Sequence, residues 1–400
     1  MSTPAGPSVD PLDAVVELVD AVGRAPLERI RIDVVAVPFR SPIPTGARTW
    51  TTRRSVLVTL RDAEGTHGTG ELAPAPGEED AAMAVLASLA PRLDGLRPAQ
   101  VLAAIEEDRS ADRSAELALA SVIEAGLETA LLDLVGRRAG IPVAAILAAA
   151  SGRGAARLRI PVSALVSARD PASAASDAAE AVARGARCVK LKVGAEPDLA
   201  AFTARLAAVR GAIGDEVELR LDANGSWTVA AAVARLDAAL PYRVAYVEQP
   251  VAGVDALAEV RAASTVPVAA DEDVRGTAAT RRILDAGAAD VLVVKPARVG
   301  GAVESLRIAS LAARAGTPVV LSTFFETGIG LAAALHLAAA LPGEETAHGI
   351  ATGDLLVSDL LTRRPRHDGG WIEVPQAAGL GVETSPELIA EFREAPGGGL

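Results

Sequence analysis

The residues able to do chemistry in this chain are three lysines and three strand-end acids. Lysine occurs at only three of the 400 positions, Lys190, Lys192 and Lys295, and arginine supplies the rest of the 39 positive charges. Arginine stays protonated at any ordinary pH, whereas a lysine amine can be tuned to give and take a proton. Lys190 and Lys192 are two apart in the apolar run Cys188-Val-Lys-Leu-Lys-Val-Gly194, so on a strand both ammonium groups leave one face. Two cations on a core strand are costly unless anions face them. Asp222, Glu248 and Asp271 are the candidate anions, each at the end of a later apolar run, and Lys295 ends the next one. Taken singly, a strand-end acid often just caps the following helix. As a set, three carboxylates in one apolar cavity repel unless a cation sits among them. All-oxygen ligands suit a hard divalent ion, Mg²⁺ first and Mn²⁺ second. A metal flanked by two amines can hold an enolate while one amine removes a proton α to a carboxylate.

That chemistry requires a scaffold that brings the six side chains to one place. From Arg157 onward the sequence alternates short apolar runs with Ala-rich helical stretches. Strands are expected at Leu158–Val166, Cys188–Val193, Val217–Leu221, Ala245–Glu248, Val266–Ala270, Asp290–Val294, Pro318–Leu321 and, weakly, Thr346–Ile350. About eight such units in roughly 200 residues match a (β/α) barrel, an α/β fold whose catalytic residues stand at the strands' C-terminal ends. Lys192, Asp222, Glu248, Asp271 and Lys295 are 23 to 30 residues apart in succession, one unit each. A doubly wound sheet is the alternative, but no Gly-rich dinucleotide fingerprint follows an early strand. Upstream, strands are expected at Arg29–Val37, Ser55–Leu60 and His67–Leu72, with a mobile loop over Phe39–Thr51. Helices are expected at Ala81–Leu93, Pro98–Glu107 and Leu117–Arg138. Residues 1–27 read as an extension containing a short amphipathic helix, 28–155 as an α+β capping domain, 156–362 as the barrel and 363–400 as a tail returning to the cap.

Lys190-Leu-Lys192, Asp222-Ala-Asn224-Gly225, Val247-Glu248-Gln249-Pro250, Ala270-Asp271-Glu272 and Lys295 together resemble the enolase superfamily, in its muconate-lactonizing-enzyme branch. The resemblance implies that Asp222, Glu248 and Asp271 are metal ligands, with Lys192 and Lys295 on opposite faces of the substrate and Lys190 and Asn224 nearby. The mandelate-type branch carries a His at the end of the seventh strand. Here that end reads Ser322-Thr323-Phe-Phe-Glu326, so that branch is rejected. Lys295-Pro-Ala-Arg298-Val-Gly-Gly301 is similar to o-succinylbenzoate synthases and to N-succinylamino-acid racemases. The stretch from Phe325 to Gly330 looks more like the synthases. A dehydrating lyase of menaquinone synthesis is therefore expected, with a racemase, epimerase or cycloisomerase of the same branch as alternative. Arg298, Ser322, Thr323, Glu326 and Gly328 are expected at the substrate. The free N–H groups of the helix opening at Gly328 are expected to bind a carboxylate.

Composition narrows the partners. The net charge of −12 argues against a nucleic-acid or anionic-membrane surface. A small carboxylate is the expected ligand, and a homo-oligomer is compatible with the reading. Cys188 is the single cysteine, which fits a reducing cytoplasm. No apolar stretch approaches a membrane span and no signal peptide is expected. A barrel that only binds an anion would have lost a ligand or a lysine, and none is missing.

Overall fold

The computed structural model describes residues 10–45, 48–110 and 117–394. Helix α1 (Pro11–Val22) starts where the Asp10 carboxylate accepts the Leu12 N–H and Pro11 supplies a preset first position, and it buries Val15 and Val19. Strands β1 (Leu27–Thr45), β2 (Arg48–Asp62) and β3 (His67–Leu72) form an antiparallel sheet in that order. The expected loop over Phe39–Thr51 is instead the far end of the β1–β2 ladder. Pairing resumes at Ile43 with Trp50 after a register shift and runs to Thr45 with Arg48. The prolines suggested a break, but β1 is an edge strand, where a residue without an N–H is tolerated.

Helices α2 (Glu79–Leu93), α3 (Pro98–Ser110), α4 (Leu117–Ala139) and α5 (Val143–Ala150) follow. Against β3, α4 buries Leu127, Leu131 and Leu134. The contact is close because Gly70 and Gly126 meet there: a Cβ on Gly70 would lie 2.0 Å from the Gly126 carbonyl oxygen.

The expected first barrel strand divides. Strand β4 (Arg159–Pro161) leaves the barrel to pair with the tail, and β5 (Ala164–Val166) begins the parallel sheet. Then come α6 (Pro171–Ala183), β6 (Cys188–Lys192), α7 (Leu199–Ile213), β7 (Glu218–Asp222), α8 (Val229–Ala239), β8 (Val244–Glu248), α9 (Val254–Ala263) and β9 (Val268–Ala270). They are followed by α10 (Thr277–Asp285), β10 (Val291–Val294), α11 (Pro296–Val299), α12 (Ala302–Ala315), β11 (Val319–Leu321) and α13 (Gly328–Ala340). Strands β5 to β11 form one seven-stranded parallel sheet in chain order. Asp170, Asp198 and Thr228 cap α6, α7 and α8 by accepting N–H bonds three residues on.

The eighth strand expected at Thr346–Ile350 does not form a ladder. His348 bridges Val162 and Gly349 bridges Ser322, and these two contacts carry the curled sheet round from β11 towards β5. Gly349 inside this run has no side chain to pack and weakens it as a strand. Arg220 holds it from across the interior: it stacks 4.9 Å over Tyr246 and donates to the Ala347 carbonyl at 2.6 Å. The tail contributes β12 (His367–Asp368), β13 (Trp371–Glu373) and α14 (Pro386–Phe392). The Gly379 carbonyl accepts the Val143 N–H, the Leu380 N–H donates to Asp133, and the Glu394 N–H donates to Val34 of β1. Among the described residues no helix is long and apolar enough to cross a membrane.

Candidate active site

Strand register lines up the lysines and acids. Lys190 lies beside Arg220 and Arg220 beside Tyr246; two residues on, Lys192 lies beside Asp222 and Asp222 beside Glu248. The period-two alternation of a strand sends these side chains into the barrel, while Val189, Leu191, Leu219, Leu221 and Val247 on the alternate face are fully buried. The C-terminal ends of β6, β7 and β8 thus present one polar layer, which Asp271 and Lys295 continue just past β9 and β10.

Within the layer the amines bind the acids. Lys190 Nζ donates to both Glu248 carboxylate oxygens at 3.1 and 3.2 Å and stands 3.1 Å from Asp222 Oδ2. Lys192 Nζ donates to Asp222 Oδ2 at 2.7 Å and also to Asn224 Oδ1. Lys295 Nζ donates to Asp271 Oδ2. The second rank holds the first: Gln249 accepts the Asp271 N–H at 2.8 Å, and the Asn224 amide donates to Glu272 at 2.9 Å.

Burial sets the electrostatics. It pushes Glu248 up to about 7, and the neighbouring Asp222 charge adds to this against the pull of Lys190. Burial also raises Asp271, although Lys295 opposes it. At Asp222 burial is outweighed by Lys192 and Lys190, which hold it well below the ordinary carboxylate range. Burial works against charge on Lys190 and Lys295 as well. The carboxylates around Lys190 (Glu248, Asp222) and around Lys295 (Asp271, Glu272) win and hold both above the usual lysine value.

The three acids were expected to face a common ion. Among the described residues no three such side chains stand as a ready metal shell; each carboxylate is turned to an ammonium. The donor set still suits a hard cation. Asp222, Glu248 and Asp271 are 1%, 1% and 4% exposed, feel one another's charge, and offer oxygen alone.

Above the layer is a cavity of about 260 Å³. Lys190, Lys192, Lys295, Asp222 and Asn224 form its floor, and Ser322 and Thr323 line one side with Thr352. Trp50, Phe324 and Phe325 supply an aromatic wall. Three expected substrate contacts lie elsewhere. Arg298 does not line the cavity; its guanidinium stacks 4.8 Å over the outer Phe324 ring and reaches Glu78. Glu326 is 3% exposed and accepts the Phe324 N–H, with burial and Glu71 pushing it up to about 7. Gly328 donates its N–H to the Asp359 carbonyl, and the first turn of α13 is already filled by the Glu71 carboxylate, which accepts the Thr327 and Gly330 N–H groups. The Thr327, Gly328 and Gly330 N–H groups are therefore already taken by the protein's own oxygens. Ser163, Leu165 and Thr352 were missed because a short first strand and a vestigial eighth gave no pattern to mark them. The aromatic wall had a signal in composition: aromatic residues are only 2% of the chain, yet two adjoin at 324–325.

Known proteins share this architecture. Residues 173–388 match the family described as enolase C-terminal domain-like, and residues 29–148 match the mandelate racemase / muconate lactonizing enzyme N-terminal domain. An o-succinylbenzoate synthase of Thermobifida fusca is 44% identical over 202 residues, covering 50% of this chain and 62% of that one. A synthase of the same name from Mycolicibacterium smegmatis is 39% identical over 245 residues, covering 58% and 72%. The chain thus matches about two thirds of the length of these relatives. A muconate lactonizing enzyme of Pseudomonas fluorescens superposes with TM-score 0.84 at 28% identity, over 92% of this chain and all of that one. An L-Ala-D/L-Glu epimerase of Bacillus subtilis gives 0.80 at 28%, over 89% and 98%. With both of its domains matched and its polar layer at the barrel mouth, the chain belongs to the enolase superfamily, in the mandelate racemase / muconate lactonizing enzyme branch.

Proposed function

We infer that the chain is an o-succinylbenzoate synthase, a lyase that removes water from a hydroxycyclohexadiene carboxylate bearing a succinyl arm, in menaquinone synthesis. The observation that carries enolate chemistry is the pair of amines, Lys192 and Lys295, lining one cavity beside buried acids; the lysines alone do not separate the synthase from a racemase. The curated relatives of that name support the synthase. On this reading residues 156–362 are the catalytic barrel, and residues 28–155 with the tail 363–400 cap it.

Asp222, Glu248 and Asp271 would hold Mg²⁺, with Mn²⁺ second. The bound ion supplies a fixed positive charge that offsets charge developing on the substrate carboxylate. Lys192 removes the α-proton. As its conjugate acid it returns a proton to the departing hydroxyl, so that one C–H and one C–O bond break and water leaves. Lys295 remains an ammonium and faces the negative charge that builds in between. Lys190 anchors Glu248 and Asp222, and Asn224 orients Lys192. The aromatic wall excludes bulk water. A racemase of N-succinylamino acids would use the same lysines, one for each enantiomer. Product analysis decides: the synthase reading requires o-succinylbenzoate from the cyclohexadiene substrate with Mg²⁺ present. Turnover of N-succinylamino acids alone, with α-hydrogen exchange in deuterated water, would replace it with the racemase.

A further inference from the structure

Phe325 has φ +62°, a left-handed backbone that a bulky aromatic residue rarely adopts. The twist has a visible result. Consecutive residues in an extended segment point to opposite sides, yet Phe324 and Phe325 both line the cavity. Trp50 packs edge-on against both rings, at 5.3 and 5.6 Å, and Phe39 packs edge-on against Phe325 at 5.6 Å. The chain has five phenylalanines, three tryptophans and two tyrosines. Three of those phenylalanines and one tryptophan meet at this mouth.

Such a backbone persists only where its surroundings over-determine it. Here the Glu326 carboxylate accepts the Phe324 N–H, and a second carboxylate, from the capping sheet, grips the turn that follows. Glu71 is 3% exposed and does not line the cavity. Its oxygens accept the Thr327 N–H at 2.9 and 3.0 Å, the Thr327 hydroxyl at 2.7 Å and the Gly330 N–H at 3.1 Å. Ser55 donates to it at 2.7 Å from the neighbouring strand, and Arg53 donates in turn to Ser55. Arg53 is buried with its guanidinium 5.7 Å from the Phe324 ring. A continuous polar chain therefore runs from the capping sheet to the first turn of α13, two residues past Phe325, and back to the ring of Phe324. A carboxylate at a helix N-terminus is a strong lock, because the N–H donors there have no partner within the helix.

We propose that Glu71 is a positioning residue for substrate selection: by gripping the first turn of α13 it holds the Phe324–Phe325 wall in the shape that accepts a flat apolar ring. The ring follows from the proposed synthase activity and rests on that reading; the grip on the wall does not.

The experiment uses the full chain and the variant Glu71→Gln. An amide keeps the shape of the side chain but sets an N–H₂ group where the carboxylate now meets only donors. Two measurements are made. The first is quenching and emission of Trp50, in a background carrying Trp227→Phe and Trp371→Phe, with no ligand present. The second is calorimetric binding of o-succinylbenzoate, which carries a ring, and of succinate, which does not. Glu71→Gln is expected to expose Trp50 and to weaken o-succinylbenzoate roughly tenfold while succinate changes less than about twofold, the scale of one charged hydrogen bond lost at a remote support. Thr327→Val removes one donor to the same carboxylate and is expected to shift both readouts in the same direction by less. It serves if Glu71→Gln does not fold. An unchanged Trp50 signal, or equal weakening of both ligands, overturns the proposal. If the unsubstituted protein binds neither ligand, the synthase reading fails, and the Trp50 measurement alone decides whether Glu71 holds the wall.

Discussion

Lys190 holds two acids at once, and the barrel depends on that as much as any turnover does. Its Nζ lies within 3.2 Å of Glu248 and Asp222, both almost fully buried. Removing one partner from a buried ion cluster leaves charge uncompensated, typically at a loss of about 3–5 kcal/mol. Lys190→Met is therefore expected to lower stability on that scale in urea unfolding. On the proposed mechanism Lys192→Ala removes the base and Lys295→Ala the ammonium that faces the developing negative charge, and each is expected to lower turnover by about 10²–10⁴ with the fold retained by circular dichroism. In deuterated water Lys192→Ala should also lose α-hydrogen exchange. The lysines and acids were legible in the sequence because residue type and interval agreed: a scarce, tunable amine and three acids recurred once per strand–helix unit. Arg298 and Glu326 were not legible as wall supports, since nothing local says whether a polar side chain points at a substrate or away from it. Glu71 was the least legible of all, because its partner Thr327 is 256 residues away.

Among the elements, α13 is fixed at both ends by groups from the cap and the tail. Glu71 fills its first turn. Near its end His336 accepts the Ala144 N–H on Nδ1, which leaves Nε2 to donate to the Leu380 carbonyl. A proton added to Nδ1 would face the Ala144 N–H. Burial accordingly lowers His336 to about 4 despite the carbonyl, and burial lowers His348 to about 3. In the unfolded chain a histidine takes its proton near 6.5. Stability is then full above about 6.5 and falls as pH drops towards 4, because the unfolded state alone binds protons in that window. Urea unfolding is expected to show a loss of at most about 1.4 kcal/mol per pH unit for each histidine, with His336→Gln removing one share. Close approach governs β3 on α4. Gly70→Ala, whose Cβ would meet the Gly126 carbonyl at 2.0 Å, is expected to destabilise the protein by about 3 kcal/mol or more, read from its melting temperature. Helices and central strands were legible from periodicity. The β1–β2 extension was hidden by prolines that only an edge strand can hold, and the eighth strand was over-read because two bridges and an arginine do its work.

For the molecule as a whole, divalent ions should link function to stability. An ion that binds the folded chain alone adds about 2.7 kcal/mol at a hundredfold excess over its dissociation constant. Mg²⁺ is expected to raise the melting temperature and chelation to lower it along with turnover. An Asp222→Asn variant should lose most of the thermal response, which a melt without substrate can test. The barrel class was legible from the repeat of strand and helix. How the cap meets it was not, because that interface is built from buried carboxylates taking up helix N-termini: Glu71 at α13 and Glu128 at the Ala302 and Val303 N–H groups of α12. The pairing of Glu394 with Val34 carries a consequence for biosynthesis. The first strand leaves the ribosome long before its C-terminal neighbour is translated, and at about 5–20 residues per second the delay is tens of seconds. During that interval the margin of the first strand is open at Val34, and it closes only when the C-terminal segment arrives.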